Sequence, residues 1–230
     1  MAAKACGRTR PRHGLSAGLL GPPALWRDGE PLGLGTPQQQ RMLTALLLRR
    51  NEVVGIDAVV EALWPEAPPP NAVQTVRTYL SRLRAELGDA LATEPGGHVL
   101  RLADGALDVD LFEALAAAGR AALDNGSPAE AETRLREALA LVRGRPLAGM
   151  EYDDFCRHET ARLEELEQLV REDLVEARLA LGKHRELVAE LRAAVGQQPL
   201  RERLWGQLML ALYRSDRQAE ALEEIGRAHV

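Results

Sequence analysis

Apolar residues recur at helical spacing three times within the first hundred residues. The first segment begins after Thr36, a good N-cap residue, and Pro37, which suits the first position of a helix. Its apolar positions, which fall on one face, are Met42, Leu43, Leu46 and Leu47. The pattern therefore predicts an amphipathic helix that begins at Pro37.

Two further helical segments follow this one. The second predicts a short helix that is capped by Asp57 and ends at Trp64-Pro65, because the residue before a proline disfavours the helical conformation. Its inward-facing residues are Val59, Val60 and Leu63. After a proline-rich loop, Asn71 caps a third helix over 71–87. Its apolar stripe comprises Val73, Val76, Leu80, Leu83 and Leu87.

Turn signals frame these three helices. Asp28-Gly29 separates the apolar stretches 24–26 and 32–34, and Pro95-Gly96-Gly97 separates two short strands within 91–102. Three helices followed by a hairpin are typical of a winged helix-turn-helix, in which the third helix enters the major groove. We therefore expect a winged helix DNA-binding domain over 15–104.

The second half of the chain is helical almost throughout. Turns between paired helices are predicted at Gly126, Gly182 and Asp216, the last two 34 residues apart. Corresponding packing positions around them are Ala121, Ala177 and Ala211, and then Ala131, Leu187 and Ala221. A longer helix, about Asp153 to Leu181, follows the first unit. This spacing is typical of tetratricopeptide repeats. The predicted fold is mainly α, an N-terminal winged helix-turn-helix followed by a tetratricopeptide-like helical repeat domain over 108–224.

Composition limits the classes of ligand that the protein is expected to bind and indicates its cellular compartment. Aromatic residues make up only 3%, which disfavours a single-stranded nucleic acid site built on stacking. Residues 1–101 hold 12 Lys and Arg against 9 Asp and Glu, whereas the remainder holds 17 against 25, so the two halves suit different partners. Two cysteines, Cys6 and Cys156, fit a reducing cytosol, and no apolar run approaches a membrane span. We expect a cytoplasmic protein with no membrane partner.

The polar face of the third helix is the candidate functional surface. Opposite the apolar stripe it presents Gln74, Thr75, Thr78, Ser81 and Arg82, and Arg77 and Arg84 flank the stripe. Residues 71–85 hold no acid, whereas an ordinary surface helix mixes Glu with Lys. Short hydroxyl side chains let a helix sit deep in a groove, and Arg donates to guanine or phosphate. The alternative of a solvated amphipathic helix remains open at this point.

Two long stretches resemble one known family. PQQQRMLTALLLRRNEVVGIDAVVEALWPEAPPPNAVQTVRTYLSRLRAEL resembles the OmpR-type DNA-binding domain of the Streptomyces antibiotic regulatory protein family. VDLFEALAAAGRAAL and PLRERLWGQLMLALYRSDRQAEAL resemble the bacterial transcriptional activation domain that follows it. The resemblance covers about Leu19 to Glu224. It implies a transcriptional activator that binds direct repeats of double-stranded promoter DNA and recruits RNA polymerase. We expect the repeat domain to contact a second protomer or the polymerase.

The family pattern also implies particular DNA contacts. On the third helix, the matching positions are Thr75, Thr78, Ser81, Arg82 and Arg84. In the wing, they are Gly97 and His98.

The alternative function is a non-catalytic protein-interaction scaffold that uses the tetratricopeptide-like helices.

Other chemistry finds no support in the sequence. Cys156 and His158 lie close together, but two ligands without a second pair make a poor zinc site. No Walker-type phosphate loop or nucleophile elbow is present. We expect neither an enzyme nor a bound cofactor or metal.

The two ends of the chain differ in character from the predicted domains. We expect residues 1–14 to be disordered. Residues 225–230 read Ile-Gly-Arg-Ala-His-Val, which one frame of a common sequencing-library adapter encodes, so they are a suspected adapter-derived tail on a longer natural protein.

Overall fold

A computed structural model describes residues 14–228, with side chains described through Glu224. Of the segment 1–14, which was expected to be disordered, only Gly14 is among the described residues, and the suspected adapter-derived tail, 225–230, lies outside the residues with described side chains. By their internal contacts the residues form two units. The first extends to Phe112 and includes Ala140–Glu165, and the second comprises Glu113–Leu139 and the chain from Leu166 onward.

The chain forms five strands and nine helices within residues 14–228. The strands are β1 (Leu15–Gly18), β2 (Ala24–Arg27), β3 (Glu30–Leu32), β4 (Leu91–Glu94) and β5 (Gly97–Leu100). The helices are α1 (Pro37–Leu48), α2 (Ile56–Leu63), α3 (Ala72–Leu87), α4 (Asp108–Asp124), α5 (Pro128–Leu139), α6 (Asp154–Ala180), α7 (His184–Gln197), α8 (Glu202–Tyr213) and α9 (Gln218–Ala228). No helix in this stretch is both long and apolar enough to cross a membrane. The mainly α prediction, with a winged helix first and a helical repeat after it, is confirmed.

The N-terminal sheet contains one strand more than the predicted hairpin. Strands β1, β2 and β3 form an antiparallel sheet in that order. Asp28 and Gly29 both adopt positive φ angles, as a tight hairpin turn requires, so the predicted turn is confirmed. Pro31 is tolerated because β3 is an edge strand. Strand β1 was not predicted.

The helix-turn-helix follows its local signals with one exception. Thr36 forms a capping box with Gln39, which confirms the predicted start of α1. The prediction that Asp57 caps α2 was wrong, because the N-cap is Gly55 and Asp57 lies within the first turn, where its charge suits the helix dipole. Asn71 occupies the N-cap of α3 without a side-chain hydrogen bond.

The wing is the hairpin of β4 and β5, joined to α3 by a short 3-10 turn over Gly88–Ala90. Val54 pairs with His98 through two backbone hydrogen bonds of 2.8 and 2.9 Å, so the α1–α2 loop supports β5. The turn itself is Pro95-Gly96, and Gly97 already belongs to β5.

A buried carboxylate, that of Asp108, joins distant segments of the first unit. Asp108 accepts the backbone N–H groups of Leu19 at 2.7 Å and Leu20 at 3.2 Å. Arg143 adds a contact of 3.3 Å to the same carboxylate, and its guanidinium lies 5.2 Å from the ring centre of Trp26. Burial raises the pKa of Asp108, whereas the Leu19 N–H and the charge of Arg143 oppose that rise. The buried carboxylate therefore has hydrogen-bond donors for both of its oxygens, whereas Nε of Arg143 is buried without an acceptor among the described residues.

The second unit follows the predicted repeat. The turns at Gly126, Gly182 and Asp216 each adopt a positive φ and join paired helices, as predicted. Ala131, Leu187 and Ala221 are buried, as are Ala177 and Ala211. Ala121 was wrongly paired with these residues, since it is exposed and Ala122 is buried in its place. The predicted long helix is α6.

Candidate nucleic-acid interface

Helix α3 has one packed face. Its buried residues are Ala72, Val76, Leu80, Leu83 and Leu87. Spacings of three and four keep these residues on one side, which packs on α1 and α2. Val73, which was predicted to belong to this stripe, is 38% exposed, so that assignment was wrong. Ala72, one residue earlier, is buried instead, and it lies on the edge of the stripe opposite to Val73.

The opposite face of α3 is polar and open. Gln74, Thr78, Ser81 and Arg82 are exposed, and Thr75 is half-buried. The hydroxyl of Thr78 donates to the carbonyl oxygen of Gln74 at 3.0 Å. Thr78 therefore offers its methyl group to a ligand, whereas Ser81 retains its hydroxyl. This surface has the small side chains and donors that contacts to base edges and phosphates require.

Two exposed cations of α3 are available to a ligand. Within the described part of the chain, Arg77 and Arg82 form no hydrogen bond or ion pair. Most other arginines of the described residues are paired with carboxylates, as Arg41 is with Asp153 through two contacts of 2.8 and 3.0 Å. Residues 71–85 carry no acid, so nothing on this stretch of helix competes for the two guanidinium groups.

Arg84 is placed differently from Arg77 and Arg82. Its Nε donates to the carbonyl oxygen of Leu91 at 3.1 Å, and its Nη2 donates to Oγ1 of Thr93 at 2.7 Å. The same Nη2 lies 3.4 Å from Nδ1 of His98. The sequence placed Arg84 among the DNA contacts, and the structure directs its guanidinium to the wing. A contact to DNA by Arg84 stays a prediction.

The two predicted wing residues are half-buried. A side chain at Gly97 would collide with the backbone of Val54, so the close approach of β5 to the α1–α2 loop requires glycine there. His98 faces Thr93 across the hairpin, with Nδ1 and Oγ1 3.3 Å apart. Burial lowers the pKa of His98, and the charge of Arg84 lowers it further. A neutral imidazole whose Nδ1 accepts from Arg84 fits this geometry.

Sequence patterns had no means of finding the partners of Arg84. The helical wheel assigns Arg84 to one flank of α3, but Leu91, Thr93 and His98 lie on two strands beyond a turn. Their residue types carry no signal for such a contact, because one of the acceptors is a backbone carbonyl. A hairpin that folds back beside the end of α3 brings these groups together.

The described residues also include a thiol and potential metal ligands. Cys156 is buried, and burial together with the negative charge of Asp153 raises its pKa to about 12, so it is not a reactive thiolate. Among the residues with described side chains, no three His, Cys, Asp or Glu residues converge as ligands of a metal ion.

The family models match both halves of the chain. Residues 29–97 match the model described as "Transcriptional regulatory protein, C terminal", and residues 107–228 match "Bacterial transcriptional activator domain". The first match contains α1, α2, α3 and most of the wing. The second contains α4 to α9.

Individual relatives extend the same similarity over nearly the whole chain. The regulatory protein AfsR of Streptomyces coelicolor is 45% identical over 210 residues, which cover 90% of this chain and 21% of AfsR. The regulatory protein DnrI of Streptomyces peucetius is 35% identical, and the match covers 89% of this chain and 80% of DnrI.

A solved structure shares the fold. Mycobacterium tuberculosis EmbR, in complex with a low-affinity phosphopeptide, superposes with a TM-score of 0.87 at 37% identity. The match covers 93% of this chain and 58% of that one. The chain thus spans about a fifth of AfsR and little more than half of EmbR. AfsR and DnrI are named regulatory proteins, EmbR is named a transcriptional regulatory protein, and both family models describe regulators of transcription and not enzymes.

Proposed function

We propose that this chain, which belongs to the Streptomyces antibiotic regulatory protein family of transcriptional regulators, binds double-stranded promoter DNA through α3 and activates transcription. In this proposal α3 lies in the major groove, and the β4–β5 wing contacts the adjacent backbone or minor groove. Regulation of transcription also implies that the protein works in the cytoplasm.

The outward face of α3 carries the proposal. Arg77 and Arg82 have no partner among the described residues, and they flank an exposed row of short polar side chains. The other face of the same helix is buried, so the two cations are held on a rigid element. A free guanidinium on a packed helix can donate two hydrogen bonds to guanine without first breaking an ion pair.

The proposed contact set begins with the sequence predictions. Gln74, Thr78, Ser81 and Arg82 face the bases, and Thr75 and Arg77 contact the flanking backbone. His98 and Gly97 bring the wing backbone close to DNA. Arg84 is considered separately below, because its guanidinium is directed to the wing.

The helical repeat supplies the activating half of the proposal. The family description that residues 107–228 match, a bacterial transcriptional activator domain, supports an activating role for these helices, which in this proposal recruit RNA polymerase. Exposed apolar side chains on α8, Leu210 and Tyr213, give it surface for a protein partner. A second protomer that binds the neighbouring copy of a direct repeat is part of the same proposal. A scaffold without DNA binding is the alternative.

Selection of DNA by the full chain tests the proposal. A pool of randomised duplexes is incubated with the wild-type chain, and the bound fraction is amplified and sequenced over successive rounds. We expect a recurrent motif, arranged as direct repeats. Affinity for the selected duplex should fall with rising salt, because binding phosphates releases counterions.

The controls separate DNA binding from a scaffold. The double variant Arg77→Ala/Arg82→Ala should lose the motif, whereas Arg185→Ala, an exposed arginine of α7, should keep it. Failure to enrich any motif, or a flat salt response, would reject DNA binding and favour the scaffold. Transcription from a template with the selected repeats and purified RNA polymerase then tests activation. An unchanged transcript level would reject the recruitment of RNA polymerase and would leave the proposed DNA binding intact.

A further inference from the structure

Arg84 links the end of α3 to both strands of the wing. Its guanidinium donates to the carbonyl oxygen of Leu91 and the hydroxyl of Thr93 on β4. On β5, Nδ1 of His98 lies within reach of the same Nη2. Thr93 and His98 are direct cross-strand partners, so a single side chain of α3 contacts a matched pair of the hairpin.

The hairpin needs an external support of this kind. Each of its strands has four residues, and a two-stranded hairpin of that size is marginal alone. The chain enters it through Gly88, whose φ of 59° lies in the left-handed region, and a turn of three residues. The bridge between Val54 and His98 supports β5 from one side. On the opposite strand, β4 is joined to α3 through Arg84.

We infer that Arg84 is a positioning residue, which fixes the direction of the wing relative to α3 so that both elements meet DNA together. This inference rests on the proposed DNA binding. The contrast with Arg82 supports it, since Arg82 has no partner among the described residues and Arg84 is half-buried with two donors already used. In the proposal Arg82 binds DNA directly, and Arg84 acts through the hairpin.

The planar guanidinium is suited to this task. Its nitrogens donate in fixed directions, so contacts to Leu91 and Thr93 define an angle as well as a distance. A lysine ammonium is a point charge on a flexible stem and sets no such angle. A substitution of Arg84 by Lys therefore keeps the charge and removes the positioning, and this difference distinguishes the inference from a phosphate contact.

The test compares Arg84→Lys and Arg84→Gln with the same pair of substitutions at Arg82, all in the full chain. The probe is the duplex that the wild-type chain enriches from the randomised pool. Affinity is measured over a series of salt concentrations, and hydroxyl-radical footprints report which sugars are protected. For a positioning residue, both Arg84 variants should lose about five- to tenfold in affinity, the net worth of about one ordinary hydrogen bond.

The pattern across these variants decides the inference. Both Arg84 variants should lose protection at the wing-side sugars and keep it at the sugars that flank the α3 contacts, with the salt slope unchanged. For a phosphate contact, Arg84→Lys would bind like wild type, and Arg84→Gln would reduce the magnitude of the salt slope by about one. That outcome would overturn the inference.

A second variant leaves the cation in place. Thr93→Val removes the acceptor on β4 with little change in shape, so it should reproduce part of the loss seen with Arg84→Gln. The double variant Arg84→Gln/Thr93→Val should bind the duplex no more weakly than Arg84→Gln, because both substitutions break the same contact between Arg84 and Thr93. Additive losses would show that Arg84 acts independently of Thr93 and would overturn the inference. Thr93→Val also serves if an Arg84 variant fails to fold.

The free protein separates this inference from the proposed function. Without DNA, amide hydrogen exchange over 91–100 should quicken in Arg84→Lys and Thr93→Val while the amides of α1 keep their wild-type rates. Unchanged exchange over 91–100 would overturn the inference. If no duplex is enriched, DNA binding fails, and the exchange result still decides whether Arg84 orients the hairpin.

Discussion

The carboxylate of Asp108 accepts the backbone N–H of Leu19 at 2.7 Å, across 89 residues of sequence. Leu19 follows the first strand of the N-terminal sheet, and Asp108 begins α4 beyond the wing. The contact therefore joins the two ends of the segment that contains α1, α2, α3 and the wing. A local sequence signal could not predict it, because aspartate at the start of a helix ordinarily serves its own helix.

Replacement of Asp108 by Asn should destabilise the protein. Loss of the charge removes a desolvation cost, but the amide nitrogen faces the N–H of Leu20 and the guanidinium of Arg143 in place of an acceptor. We expect a net loss of about 1–3 kcal/mol in the free energy of unfolding, the usual cost of an unsatisfied buried donor. Urea unfolding followed by circular dichroism measures it. Asp110→Asn, at a half-exposed partner of Arg50, is the control and should cost below about 1 kcal/mol. Equal effects at both positions would contradict the prediction.

Burial separates the consequences of two substitutions on α3. Leu83 is buried in the packed face of α3, so Leu83→Ala should lower the free energy of unfolding by about 2–5 kcal/mol. Val73 is 38% exposed, and Val73→Ala should change it by less than about 1 kcal/mol. Thermal and urea unfolding of both variants check this. A large loss of unfolding free energy in Val73→Ala would show that Val73 belongs to the packed stripe, as the sequence predicted.

The error at Val73 shows what a helical sequence pattern can and cannot predict about the buried face of α3. The period of 3.6 identifies a stripe on α3, but a stripe about 100° wide has two edges, and the packing of α1 and α2 decides which edge is covered. Ala72 carries too little apolar surface to compete in a sequence pattern, yet its small size suits the covered edge. Among signals that act within a few residues, the cap at Thr36 was predicted correctly, whereas the predicted cap at Asp57 lies two residues after the actual N-cap, Gly55. Contacts across turns, such as Arg84 with Thr93, were not predicted.

The titration of His98 should report the charge of Arg84. Burial and Arg84 together lower the pKa of His98, so its midpoint, followed by NMR, should lie below 6.5. Arg84→Gln removes the nearby positive charge and should raise that midpoint. A midpoint that does not move would mean that Arg84 lies farther from the imidazole than the structure places it. Arg101→Gln, at the ion pair with Glu94, is the matched control.

The same shift has a consequence for stability. Because the pKa of His98 is lowered in the folded state, the unfolded chain takes up the proton first as the pH falls below 6.5. The free energy of unfolding should therefore decrease from pH 6.5 down to the folded pKa and level off below it. The difference between wild type and His98→Gln isolates this contribution. A difference that is constant from pH 7 to pH 5 would contradict it.

Cys156 should resist thiol reagents in the native protein. Burial raises its pKa to about 12, so very little thiolate is present at pH 8, and the sulfur is buried as well. In a Cys6→Ser background, a chromogenic disulfide reagent should react with Cys156 only at the rate of unfolding. The same sample in urea is the control and should react within seconds to minutes. Immediate reaction in native buffer would contradict the burial of this residue.

The role of Arg82 on α3 gives the sharpest test of sequence-specific recognition. Arg82→Ala should weaken binding to the selected duplex by about 1–3 kcal/mol and relax the preference at one base pair, if its free guanidinium donates to a guanine. Competition binding against duplexes that differ at single positions measures both effects. Arg185→Ala, at an exposed arginine of α7, is the control for a lost surface charge. If Arg82→Ala weakens binding to every duplex equally, Arg82 contacts a phosphate, and Gln74, Thr78 and Ser81 remain to read the bases.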